Sequence, residues 1–252
     1  SEPTRLMIFE SPTNPVTKVA DLATITRLAR AHGALTVLDN TFAGFHQHGQ
    51  FDIDVYLHSL TKYAAGTGAV MGGVAIARRE LVAAMRPDWN LFGAQLDPHA
   101  AFLLMRGMKT YFLRYRAQCA AAQSLAEFLA SHPAVERVRY PGLPTHPGAA
   151  LARAQMSEFG SVVSFDLRAG AEAGRRFAEA LRLFAITASL GSTESLVLPP
   201  QLIGSRDLTP EQVAWTDVRP GTVRLSIGLE DLGDLRADLA QGDGLAVQPV
   251  GR

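Results

Sequence analysis

The chain has 252 residues, with 24 basic and 24 acidic side chains, so no global positive charge draws it to a phosphate backbone and nucleic-acid binding is disfavoured. Hydrophobic residues make up 47% and charged residues 19%, enough apolar material for a sizeable core, which excludes a disordered chain. The single cysteine, Cys119, excludes an internal disulfide and a paired-thiol zinc knuckle and favours a reducing, cytoplasmic setting. No run reaches the ~18 apolar residues of a membrane span, and the opening SEPTRLMIFE lacks the layout of a secretory leader.

In chain order, residues 6–9 read as a strand, SPTNP as a turn, and 19–32 as a helix ending at Gly33. Leu22, Ile25, Leu28 and Ala29 have the spacing of one apolar helical face. ALTVLDN is a short buried strand, 41–50 a loop, DVYLHS a further strand, and GTGAVMGGVAIA a turn followed by a strand. Strand, helix and strand with near-continuous apolar runs predict an α/β fold whose mostly parallel sheet is covered on both faces. The ends of such strands are the first place to look for chemistry. Residues 97–131 predict one long helix, kinked near Gly107 and stopped by Pro133. After the linker-like PGLPTHPG come a helix over 149–156, the strand SVVSFDL, a helix over 171–183, strand-like FAITASL and the strand TVRLSIGL, predicting a smaller α+β unit. The boundary falls between about Ala130 and Pro147, dividing the chain into 1–130 and 131–252. There is no internal repeat.

Asp39 closes one strand and Lys62 follows the end of another, with the hydroxyls of Ser59 and Thr61 just before it. Singly, Asp39 reads as a cap and Lys62 as a solvated surface residue. Together they form a set that suits pyridoxal phosphate: a lysine for the Schiff base, an acid for the ring nitrogen and small donors for the phosphate. In TVRLSIGL, Arg224 shares a face with Thr222 and Ser226, above an apolar underside of Val223, Leu225 and Ile227. A surface ion pair would explain it; so would a bidentate grip on an amino acid's carboxylate.

The ordered runs FESPTNP, VLDNTFA, HSLTKY, VMGG, LDPHAAFLLMRGMKT, VRYPGLPTHPG, SLGSTESL and VRLSIGLED span nearly the whole chain. In these motifs the sequence resembles the Cys/Met-metabolism family of pyridoxal-phosphate enzymes: cystathionine γ-synthase, cystathionine γ- and β-lyases, methionine γ-lyase and O-acylhomoserine sulfhydrylases. The resemblance implies a type I, aspartate aminotransferase-like transferase fold. It implies Lys62 as the Schiff-base lysine, Asp39 on the pyridinium nitrogen, Ser59 and Thr61 on the phosphate, and Asn14 near the phenolic oxygen. It further implies Arg224 and Ser189 as the grip on the substrate carboxylate, a small amino-acid substrate and a homotetramer.

Three departures from the family pattern shape the expectation. Family members are longer at the amino end, so 1–130 reads as a cofactor domain lacking its N-terminal part, with the glycine-rich phosphate turn, the ring-stacking tyrosine and the Tyr/Arg pair absent. Ala188 stands where cystathionine γ-synthase and γ-lyase members carry an acid for a distal amino group, favouring a smaller or less polar side chain. Thr67 and Ala69 stand where many relatives have His and Asp. The implied activity is a carbon–sulfur lyase acting by β- or γ-elimination, with γ-replacement as the alternative. An inactive fragment or structural partner is the reading from another class.

Other features are bland. His46 and His48 lie in a polar loop without a third ligand, so no metal is expected. Gly66, Gly68, Gly72 and Gly73 read as turn glycines beside the cofactor rather than as a dinucleotide loop. Cys119 reads as an inert core residue. Arg106, Lys109, Arg114 and Arg116 read as a solvated or subunit-facing helix side.

Overall fold

The structure is a computed structural model that describes residues 3–203 and 208–246. Residues 1–2, 204–207 and 247–252 of the two predicted units lie outside the described residues. The first sheet is built from β1 (Leu6–Glu10), β2 (Leu35–Asp39), β3 (Val55–Ser59) and β4 (Gly73–Ala77), adjacent in that order. β1, β2 and β3 run parallel; β4 returns antiparallel to β3. Glu10 is paired in register with Asp39, so two acids meet at the carboxyl ends of neighbouring strands.

Helix α1 (Leu22–Ala31) connects β1 to β2, and its start is set by Asp21, whose carboxylate accepts the Thr24 N–H at 3.0 Å. The buried stripe is Leu22, Thr26 and Ala29 rather than the fully apolar set expected. Thr26 tolerates burial because its hydroxyl donates to the Leu22 carbonyl at 2.8 Å, and Leu28 turns out to solvent. Leu22 packs with Leu38 and Ile53 on one face of the sheet. The other face leaves Leu6, Ile8 and Leu35 exposed, so the double coverage expected of a parallel sheet is not met there.

α2 (Arg79–Phe92) has no counterpart in the sequence reading; Pro87 sits inside it and none of its side chains is buried. The single long helix expected over 97–131 is two helices, α3 (Pro98–Met108) and α4 (Tyr111–Ala130). Asp97 caps α3 by accepting the N–H groups of His99 and Ala100, and the chain breaks at Lys109 and Thr110. α4 serves two cores. Tyr111, Tyr115 and Cys119 pack with Phe42, Tyr63 and Leu190, whereas Ala122, Leu125 and Leu129 pack in a separate core cluster with Phe165, Phe177 and Leu225. Cys119 is buried and its thiol is pushed up to about 12 by that burial, consistent with an inert side chain. Arg114 corrects the reading of the basic stretch as solvated: it is buried.

The remaining elements are β5 (Val135–Arg139), α5 (Ala149–Gln155), β6 (Val162–Leu167), α6 (Gly170–Ala180), β7 (Ala185–Ile186), β8 (Leu196–Leu198), α7 (Pro210–Thr216), β9 (Thr222–Ser226) and α8 (Leu232–Ala246). Their sheet has the order β5-β6-β9-β8-β7, antiparallel except between β7 and β8. The strand expected over FAITASL shrinks to two residues. β9 lies at the centre and is buried on both faces, so Arg224 is an interior arginine, 2% exposed, and not half of a surface ion pair. Among the described residues no helix is long and apolar enough to cross a membrane.

Two histidines, His48 in the loop after β2 and His58 on β3, are buried and are expected to set an acid limit on the fold. His48 contacts Asn40 Oδ1 through Nδ1 at 2.7 Å, and His58 stacks on Phe45 with ring centroids 4.1 Å apart. Burial pushes each down to about 4 from an ordinary 6.5. The folded state therefore binds these protons less well than the unfolded chain, so their contribution is complete above pH 6.5 and is lost as pH falls toward 4. Denaturant melts are expected to lose roughly 2 kcal/mol per histidine across that window, with His58→Asn removing about half of the slope. A H58N slope identical to that of the parent chain would assign the acid limit to other groups.

Candidate active site

The carboxyl ends of β1, β2 and β3 open into one cavity of about 150 Å³, lined by Glu10, Asn14, Asp39, Thr41, Ser59, Lys62 and Ala188 among others. This is where a parallel sheet presents polar groups, because the strand ends release side chains and backbone dipoles to one side. Of the residues expected at the site, Asn14, Asp39, Ser59 and Lys62 line the cavity directly. Thr61 is turned aside: its hydroxyl accepts the Gly72 N–H at 3.0 Å and donates to the Gly72 carbonyl at 3.4 Å. Ser189, between β7 and β8, and Arg224, on β9, reach the site through Lys62 and Asn14 respectively.

Asp39 Oδ1 accepts the Thr41 N–H at 3.0 Å, and Thr41 Oγ1 accepts the Ser59 N–H at 2.9 Å. This chain of bonds ties the ends of β2 and β3, so Asp39 closes a local turn and does not cap a helix. Lys62 lies in a π-helical turn, Leu60–Ala64, with non-helical backbone angles of φ −88° and ψ −127°. Its Nζ donates to Ser189 Oγ at 2.9 Å. Burial, followed by the neighbouring Arg224 charge, holds the ammonium pKa below its ordinary value, which raises the fraction of free amine.

Arg224 is held by three directed bonds. Nη1 donates to Asn14 Oδ1 at 2.7 Å, and Nη2 donates to the carbonyls of Ala188 and Ser189, each at 2.8 Å. Nε is buried and meets no protein acceptor among the described residues. Burial pushes the guanidinium down to about 10. Ser164, the register partner of Arg224 on β6, donates its hydroxyl to the Pro15 carbonyl, anchoring the turn that presents Asn14.

Glu10 and Thr41 were not among the expected site residues. Glu10 accepts the Asn14 N–H at 2.9 Å, and burial, helped by the Asp39 charge, holds its carboxyl above the ordinary range. Its signal was the one that singled out Asp39, an acid closing a parallel strand. Thr41 carried none, because its use depends on the approach of β3. His46 and His48 point to different partners: His46 meets Tyr111 and Glu158, and His48 meets Asn40.

A polarised amine, a carboxylate and hydroxyl-bearing strand ends in one cavity form a donor set that fits pyridoxal phosphate, with Lys62, Asp39 and Ser59 as the residues able to hold it. The chain is 45% identical over 242 residues to the L-methionine gamma-lyase of Pseudomonas putida, covering 94% of this chain and 61% of that protein. It is 41% identical to the O-succinylhomoserine sulfhydrylase of Pseudomonas aeruginosa, covering 95% of this chain and 60% of that protein. It thus spans about 61% of the length of such curated relatives. Among solved structures it superposes on the cystathionine gamma synthase of Xanthomonas oryzae pv. oryzae, in complex with aminoacrylate and cysteine, with a TM-score of 0.90. That pair is 39% identical, and the match covers 96% of this chain and 63% of the other. The expected fold is therefore present. With residues 1–243 also matching the model of the Cys/Met metabolism PLP-dependent enzymes, the chain belongs to that family.

Proposed function

We propose that this chain carries the active-site part of a pyridoxal-phosphate carbon–sulfur lyase that acts on a sulfur amino acid by β- or γ-elimination. The observation that carries the reading is the convergence of Lys62 Nζ on Ser189 Oγ at 2.9 Å, beside Arg224 and in the cavity lined by Asp39. Bound there, pyridoxal phosphate supplies an electron sink for the carbon next to the substrate's amino group. Asp39 places its carboxyl group at the end of β2, where it would pair with the cofactor's ring nitrogen in its protonated form. Lys62, its pKa lowered, takes the α-proton and returns a proton along the side chain. Arg224, whose Nε has no acceptor among the described residues, would turn that donor to the α-carboxylate. Ser189 shifts its hydroxyl between Lys62 and that carboxylate. Residues 1–130 thus serve the amino end of the substrate and 131–252 its carboxylate.

γ-Replacement is the second reading, favoured by the sulfhydrylase at 41% identity and the synthase fold at a TM-score of 0.90. Ala188, which lines the cavity without a charge, supports a substrate with a small or apolar side chain. We place the enzyme in the cytoplasm as a homo-oligomer. Support for assembly comes from α2 and α3, which bury no side chain and expose Leu91, Phe92 and Met105.

Borohydride reduction after addition of pyridoxal phosphate, followed by peptide mapping, is expected to place a pyridoxyl adduct on Lys62. Release of a keto acid and ammonia from methionine, homocysteine or cystathionine then identifies elimination; a thioether product from O-acylhomoserine and a thiol identifies replacement. No adduct on Lys62 would sink both readings and favour a structural role for the chain.

A further inference from the structure

The turn that holds Lys62 is itself held from behind. Its π-helical register is closed by the Ala65 N–H donating to the Leu60 carbonyl at 3.0 Å, while the carbonyls of Tyr63 and Ala64 have no intrahelical donor at this end. Arg114, from the first turns of α4, takes both: Nη1 donates to Tyr63 O at 2.9 Å and Nη2 to Ala64 O at 3.3 Å. The same Nη2 donates to Gly107 O at 2.9 Å, and Nε donates to Thr110 Oγ1 at 3.0 Å. Its partners among the described residues are thus three carbonyls and a hydroxyl.

Burying a cation with no carboxylate partner is expensive, and here burial holds the guanidinium below its ordinary pKa. Two glycines make room for the arrangement. Gly66, with φ +77°, lies so close that a Cβ would strike the Arg114 guanidinium. Gly107 packs α3 so tightly on the turn that a Cβ would strike the carbonyl oxygens of Ala64 and Ala65. The break between α3 and α4 places Thr110 and Gly107 around the same guanidinium. Only the fixed fork of an arginine meets acceptors on two segments at once.

We propose that Arg114 is a positioning residue for Lys62: by bonding the two carbonyls that follow the lysine, it sets the turn from which Nζ reaches Ser189 and Arg224. This rests on the reading of Lys62 as the reactive amine. Without Arg114 the turn relaxes, the amine leaves Arg224 and the low-dielectric cavity, and its pKa returns toward that of an ordinary lysine.

The test uses the full chain without added cofactor. Lys62 and Lys18 are labelled with a limiting acylating reagent across roughly pH 7 to 11, and the modified peptides are quantified. In Arg114→Gln the Lys62 profile is expected to move to higher pH, with labelling near neutrality about three- to tenfold lower, while Lys18 is unmoved. Arg114→Lys, which keeps the charge but loses the fork, should fall between. A folded R114Q whose Lys62 profile superposes on that of the parent chain overturns the proposal. Should R114Q fail to fold, Thr110→Val, which removes only the Nε acceptor, must shift Lys62 the same way by a smaller amount; no shift overturns it equally. Absence of a pyridoxyl adduct on Lys62 in the parent chain is a separate outcome: it sinks the cofactor reading while the labelling comparison still decides the role of Arg114.

Discussion

Lys62→Ala is expected to abolish the borohydride-trapped pyridoxyl adduct and to lower sulfur-amino-acid cleavage by about three orders of magnitude or more, since the amine serves both as covalent anchor and as base. The structural cost should be small. Among the described residues Lys62 Nζ makes one side-chain hydrogen bond, to Ser189 Oγ, and burial already works against its charge, so removing it takes away an unfavourable desolvation. Melts of K62A should therefore match or slightly exceed those of the parent chain. Retained cleavage in K62A would move the chemistry to another group. A collapse of stability instead would show that the Lys62 amine holds the cavity together.

Arg224→Ala should act mainly through substrate binding. The guanidinium joins Asn14 Oδ1 and the carbonyls of Ala188 and Ser189, and its Nε has no acceptor among the described residues. Truncating one partner of a buried, hydrogen-bonded charge pair costs about 2–5 kcal/mol, which corresponds to a rise in KM of about 100-fold with a smaller fall in kcat. Arg224→Lys should recover little, because a point charge cannot serve Asn14 Oδ1 and the two carbonyls of Ala188 and Ser189 as the guanidinium fork does. An R224A variant with an unchanged KM would remove the carboxylate role. A stability loss is also expected, because the Ala188 and Ser189 carbonyls lose their donor in the interior. Steady-state kinetics on folded protein, with melts in parallel, separates the two effects.

The strands of the first sheet were legible because each is a short apolar run bounded by turn residues, and Asp39 and Lys62 because a charge at a strand end stands out against such a run. Asn14, Ser189 and Arg224 became legible through the motifs around them. Helix boundaries were less so. The α3–α4 break falls at Lys109 and Thr110, which carry no strong breaker, next to the tight packing of Gly107 on the Lys62 turn. α2 escaped because a helix without buried side chains imposes no apolar period on its residues.

Local pattern alone therefore determined the parallel order of strand and helix, the acid and amine at their ends, and the family motifs that carry them. These depend on neighbours within a few residues, where spacing fixes which face a side chain occupies. Only the tertiary structure decided that Thr61 bonds Gly72 rather than lining the cavity, that Arg224 is interior, and that Arg114 leaves the solvated row to grip the lysine turn. The physical reason is that a charged or hydroxyl side chain carries no mark in sequence of whether its acceptor is water or a carbonyl brought in from fifty residues away, whereas burial makes that partner obligatory.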